Sequence, residues 1–246
     1  MTESANSQVV PPFVTEQLQQ LDIELGQAIL QQLAAYLDAL LEANKKFNLT
    51  GIRDRDEAWK RHIIDSLTVL PALAELQTGE SVIDVGAGGG LPGVPIAIAR
   101  PDLSVTLLES TGKKAGFLSD CAKQLSLENV RVITDRAENI GQASAHREKY
   151  DVAVCRALGP MRQLLEYTLP LVREGGAVLA MKGPKIESEL DAASDALMIL
   201  GAGDVQIIDA YPQSFGIDTC LVWIQKARAT PGEYPRAPGM PKQAPL

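Results

Sequence analysis

The chain has 246 residues, 46% of them hydrophobic and only 4% aromatic, so an aliphatic core of ordinary size is within its reach. A net charge of −8 argues against a general nucleic-acid binder, because neutralising phosphates takes lysine and arginine, although a local basic patch survives a whole-molecule sum. No run approaches the ~20 apolar residues of a membrane span, and residues 1–14 lack a signal-peptide pattern. Cys121, Cys155 and Cys220 have neither CxxC spacing nor histidine partners. That argues against a disulfide framework or a metal site and fits a reducing cytoplasm.

In chain order, residues 1–14 read as disordered, and 15–25 as a short helix with Thr15 as its N-cap. Ile29, Leu33, Tyr36, Leu37, Leu40 and Leu41 recur at three- and four-residue spacing and predict a helix over 28–44. A basic, turn-rich stretch follows over 45–51. Asp54 or Asp56 then caps a helix running through Trp59, Ile63, Ile64 and Leu67 to Leu70, stopped by Pro71. These elements form a helical N-terminal extension over 15–75. From residue 81 the pattern alternates. Strands are expected at 81–85, 104–109, 130–134, 151–155, 177–182, 205–210 and 219–225. Helices are expected at 92–99, 113–125, 141–147, 161–169 and 186–200. The last two strands are joined by 211–218 alone, too short for a crossover helix, so the final strand is expected to insert antiparallel. The tail, 227–246, has prolines at 231, 235, 238, 241 and 245 and reads as mobile and disordered.

Seven strands, mainly parallel with the last antiparallel, resemble the Rossmann-like α/β fold of class I S-adenosylmethionine-dependent methyltransferases, here over 76–226. The stretch from Ser81 to Leu91 carries the cofactor signal: a strand, then glycine at 86, 88, 89 and 90, then a helix start. Glycines permit positive φ and let a ligand approach the main chain. Gly88, Gly90 and Gly93 satisfy GxGxxG, which in a glycine-dense loop is a weak dinucleotide signal. Two acids favour S-adenosylmethionine over NAD. Asp84 ends the first strand, where methyltransferases use an acid to hold the aminopropyl-carboxylate end of the cofactor. Glu109 ends the second, where a carboxylate accepts from ribose hydroxyls. Alternatively, Asp84 caps a turn or helix, and Glu109 caps the helix entered at Thr111. Ala137 and Glu138, after the third strand, are candidates to contact adenine. Arg156, at the end of the fourth, faces the cofactor cleft or pairs with a carboxylate. Cys155 is read as a buried strand residue, not a nucleophile.

Several blocks then appear in order: Lys46-Phe47-Asn48-Leu49-Thr50, Arg61-His62-Ile63-Ile64-Asp65-Ser66-Leu67, Asp84 through Gly93, Leu108-Glu109-Ser110, Lys113-Lys114 and Arg156-Ala157. Over about residues 25 to 226 the chain closely resembles the RsmG (GidB) family of bacterial 16S rRNA guanine-N7 methyltransferases. The resemblance implies methyl transfer from S-adenosylmethionine, leaving S-adenosylhomocysteine, to N7 of a guanine in the decoding-region loop of 16S rRNA. It implies cofactor contacts at Gly86, Leu91, Ala137, Glu138 and Arg156, to which the strand-end reading adds Asp84, Gly88 and Glu109. N7 carries no proton, so no general base is assigned; Arg156, Lys182 and His62 are candidate cleft residues. His62 and Asp65, one turn apart, are placed to pair. Lys46, Asn48, Arg61, Lys113 and Lys114 are candidates to hold rRNA. The expected partner is 16S rRNA or the small ribosomal subunit, with no metal, no membrane, a cytoplasmic location and a monomeric state. A dehydrogenase lacks its Tyr-(x3)-Lys pair here. A non-catalytic RNA-binding module remains a third reading.

Overall fold

The computed structural model describes residues 9–246. Among them, seven strands form one sheet in the order β3-β2-β1-β4-β5-β7-β6: β1 (Ser81–Val85), β2 (Ser104–Leu108), β3 (Val130–Ile133), β4 (Tyr150–Arg156), β5 (Val172–Lys182), β6 (Ala202–Asp209) and β7 (Cys220–Lys226). β7 inserts antiparallel between β5 and β6, and the remaining pairs are parallel. The chain winds outward from β1 through β2 to β3, then returns to place β4 on the other side of β1. Ligands of open α/β sheets bind at such a reversal, beyond the carboxyl ends of the strands.

Alternation along the strands divides the core into two layers. Val82, Val105, Leu107, Val152, Val154 and Leu179 face one side. There they meet α2 (Gln27–Phe47), α5 (Gly93–Ala99) and α6 (Gly112–Gln124). Ile83, Val85, Leu108, Ala153, Cys155 and Val178 face the other, against α8 (Met161–Thr168) and α10 (Ser194–Leu200). The apolar stripe of α2 is fully buried at Leu33, Tyr36, Leu37 and Leu40. The N-terminal helices therefore share one core with the sheet.

Several boundaries differ from the sequence reading. Residues 1–8 of the expected disordered segment lie outside the described residues. Its last residues begin α1 (Pro12–Gln20), the helix expected from residue 15, entered by proline at the first helical position and anchored by buried Val14 and Leu18; Thr15 lies inside the helix and is not its cap. α2 continues through Lys45 and Lys46, whose charges suit a helix C-terminus, and Asn48 closes it in the left-handed conformation. Asp54 caps α3 (Arg55–Ala58) by accepting from the Glu57 N–H. The helix then widens into a π-helical stretch, Trp59–Ile64, before α4 (Asp65–Leu67). The helix expected at 141–147 is α7 (Ala137–Gln142), and that expected at 186–200 is split into α9 (Ile186–Ala192) and α10.

The tail is the largest correction. It is a docked strap, with Thr230, Pro235 and Pro241 buried and a last turn at α11 (Met240–Gln243). Proline lacks an N–H but keeps its carbonyl, so side-chain donors from the body can hold such a segment. The Arg147 guanidinium donates to the carbonyls of Thr230, Pro231 and Tyr234, and the Gln142 amide to those of Gly232 and Pro235. Arg236 grips the fully buried Glu166 through its backbone N–H, Nε and a guanidinium nitrogen, at 2.7–2.9 Å.

Candidate active site

Asp84 is wholly buried at the end of β1. Its Oδ2 accepts the Gly93 N–H at 2.8 Å, capping the first turn of α5, while Oδ1 has no hydrogen-bond partner. Burial pushes this carboxyl up to about 7. Glycine at 93 is what allows the approach: a Cβ there would lie 2.4 Å from Leu107 Cδ2 and 2.7 Å from Asp84 Oδ2. Gly93→Ala is accordingly expected to destabilise the fold by about 1–3 kcal/mol, measurable as a lower midpoint of thermal unfolding.

Glu109 serves the loop from below. Its Oε2 accepts the Gly88 N–H at 2.9 Å and its Oε1 the Thr111 N–H at 2.7 Å. From above, the Tyr36 hydroxyl of α2 donates to the Gly89 carbonyl at 2.8 Å. Neither acid stands free, then; both capping alternatives are realised, with lone-pair capacity left on each carboxylate. Tyr36 was invisible as a site residue because its place in an apolar stripe accounts for it fully.

Gly86, Ala137 and Glu138 come together. With Val85, Ser110 and Tyr167 among others they line a cavity of about 190 Å³ at the carboxyl ends of β1, β2 and β3. Gly86 has φ +75°, and a Cβ would press on Leu158 at 2.6 Å. Asp84, Gly88, Leu91, Glu109 and Arg156 are not on this wall; they lie in or beside the loop that frames it.

Arg156, Lys182 and Asp65 line a second cavity, of about 300 Å³, with Glu189. Arg156 pairs with Asp65 at 3.1 Å and donates to the Arg61 carbonyl at 3.0 Å; Lys182 pairs with Glu189. The Tyr211 phenol, from the β6–β7 connection, donates to the other Asp65 oxygen at 3.1 Å. Burial and the Asp65 carboxylate hold that phenol well above its usual range, so it remains a donor. His62 does not pair with Asp65. Its Nδ1 meets the Arg61 carbonyl at 3.0 Å, which only accepts, so Nδ1 carries the proton and Nε2 accepts from the Thr50 hydroxyl at 2.6 Å. Burial, with the Arg156 charge nearby, lowers His62 to about 4. An unfolded histidine takes its proton at about 6.5. The stability due to neutral His62 is therefore complete above that value and lost as pH falls toward 4. Burial pushes the Cys155 thiol far up, consistent with an inert strand residue. Among the described residues no cluster suits a metal ion, and no helix is long and apolar enough to cross a membrane.

The rRNA candidates are spread out. Arg61 is exposed beside the second cavity, and Lys113 is exposed at the start of α6. Asn48 lines a hollow with Lys45 and Arg53. Lys46 lies in a groove between α2 and α6 with Asp38, Glu42 and Asp120.

The fold is shared with a putative S-adenosyl-L-methionine-dependent methyltransferase from Methanococcus maripaludis (TM-score 0.54, 14% identity, 72% of this chain and 92% of that one). It is shared also with the YcgJ protein from Bacillus subtilis (TM-score 0.52, 14% identity, 67% and 99%). Sheet order, glycine loop and strand-end acids together define a class I S-adenosylmethionine-dependent methyltransferase. The ribosomal RNA small subunit methyltransferase G of Lactobacillus delbrueckii subsp. bulgaricus is 42% identical over 239 residues, covering 96% of this chain and 99% of that one. That of Moorella thermoacetica is 43% identical over 217 residues, covering 88% and 90%. The family model GidB, rRNA small subunit methyltransferase G, matches residues 29–213, and the chain belongs to that family. It is a methyltransferase of small-subunit rRNA with S-adenosylmethionine as methyl donor.

Proposed function

We propose that the methylated atom is N7 of a guanine in the decoding-region loop of 16S rRNA, modified in the cytoplasm by a monomer acting on the rRNA or the small subunit. The observation that carries the site assignment is Asp84: a fully buried carboxylate with one oxygen held by Gly93 and the other unpartnered, under a loop that opens at Gly86 into the first cavity. The donor set fits the cofactor: Oδ1 lacks a cationic or N–H partner, and the glycines leave room for one. Bound S-adenosylmethionine would supply a methyl group already activated by the positive sulfonium.

In this reading Asp84 and the backbone at Gly86, Gly88 and Leu91 hold the methionine end, Glu109 fixes the loop and receives the ribose, and Ala137 and Glu138 receive the adenosine end. Arg156 lines the second cavity and, at the end of β4, holds the cofactor from that side. N7 offers a lone pair and no proton, so orientation and electrostatics suffice without a general base. The product ring is cationic, so a nearby carboxylate or carbonyl would stabilise the transition state. Arg61, Lys113, Lys114, Asn48 and Lys46 position the rRNA backbone.

Labelled S-adenosylmethionine incubated with small-subunit RNA from cells lacking the modification is the direct test. One methyl per 16S rRNA is expected, with the modified guanine cleaved by borohydride and aniline as N7-methylguanine is; a methyl on any other atom overturns the reading. Arg61→Ala is expected to raise KM for RNA and lower the salt slope by about 1, with cofactor affinity unchanged. An unaltered KM removes Arg61 from the RNA-binding set.

A further inference from the structure

The strap reaches a wall residue of the first cavity. After Arg236 it turns at Gly239, φ +90°, and the Gly239 N–H donates to Glu138 Oε1 at 2.8 Å. Glu138 is 5% exposed and lies on the cavity wall beside Ala137 and Tyr167. Its Oε2 has no hydrogen-bond partner among the described residues. A carboxylate on a flexible side chain is a poor receptor for a hydroxyl or amine until one oxygen is fixed; fixing Oε1 aims Oε2. The fixing group is itself held on both sides. Upstream, Arg236 is clamped to Glu166, and downstream Arg162 donates to the carbonyls of Pro245 and Leu246. Pro235 also packs on α7, where a Cβ at Gly141 would lie 2.7 Å from its Cγ.

We infer that the C-terminal strap is part of the cofactor site: the Gly239 N–H is a positioning group that presets Glu138 for the nucleoside end of the cofactor. The inference rests on the reading of Glu138 as a nucleoside contact.

The test is a double-mutant cycle on ligand affinity, with S-adenosylhomocysteine, adenosine and methionine as probes. Glu138→Ala is expected to weaken S-adenosylhomocysteine and adenosine about tenfold and to leave methionine unchanged. Deletion of 237–246, which spares the Arg236–Glu166 pair, should weaken the same two probes by a similar factor and add little in the Glu138→Ala background. In turnover it should raise KM for S-adenosylmethionine and leave kcat alone, a split that general loosening of the fold would not produce. Gly239→Ala, strained at this φ, should displace the same N–H and give a smaller loss that likewise vanishes without Glu138; it decides the matter alone if the deletion does not fold. If Glu138→Ala weakens binding while both strap variants bind as the parent does, the inference is overturned and the nucleoside contact stands. If Glu138→Ala has no effect on any probe, the contact itself is wrong and the strap's role falls with it.

Discussion

Replacing Arg236 with alanine lowers the free energy of unfolding by about 3–5 kcal/mol, among the largest losses a single side chain here can cause. Glu166 has no exposed surface, and Arg236 holds both of its oxygens. Cutting back the arginine leaves a buried carboxylate without its cation, which costs more than the pair contributes while intact. Urea unfolding measures the loss. Glu166→Gln in the Arg236→Ala background should recover part of it, since the stranded charge is then gone. A change within ~0.5 kcal/mol of the parent would mean that the strap lifts away freely and Glu166 reaches water.

Asp84→Asn should weaken S-adenosylhomocysteine by roughly 10- to 100-fold, the worth of a hydrogen bond to a charged group. Asparagine keeps an acceptor for the Gly93 N–H, so the helix cap survives and the loss reports on the charge. The pH dependence gives a second measure. In the ligand-free protein the Asp84 carboxyl is raised to about 7 by burial. A cationic ligand group beside Oδ1 favours the carboxylate and draws that value down. Binding then releases a proton at any pH between the lowered value and 7, so affinity climbs as pH rises toward 7 and levels off above it. Calorimetry in buffers of different ionisation heat should detect the proton from the parent and none from Asp84→Asn. A flat profile in the parent would place the ligand's positive charge elsewhere.

What the sequence made legible was what is local or periodic. The β1 boundaries, the insertion of β7 and the burial of α2 follow from alternation, connection length and the 3.6-residue stripe. The glycine loop was recognisable because its residue types have few other uses. The docking of the tail is not legible in its composition, because proline content reports on what a segment cannot do by itself and says nothing of donors offered from elsewhere. Arg147 and Glu166 lie more than sixty residues from the strap atoms they hold, and neither carries a local signal. Helical spacing pairs His62 with Asp65, but in the π-helical stretch His62 meets Thr50, and Asp65 is met by Arg156 from β4 and Tyr211 from the β6–β7 connection. Spacing names the residues of one face; it does not say what the rest of the chain brings to that face.

The sheet order has a kinetic consequence. At its centre β1 pairs with β4, joining Val82 to Val152, and the Ser81 N–H reaches the Asp151 carboxylate at 2.7 Å. Those contacts close a long loop, whose entropy must be met before the pairing returns anything. The wall bearing Glu138 is braced by residues that come later still. On the reading of Glu138 as a nucleoside contact, bound S-adenosylhomocysteine is expected to slow unfolding more than it speeds folding, because the contacts that complete that wall join residues far apart in the chain.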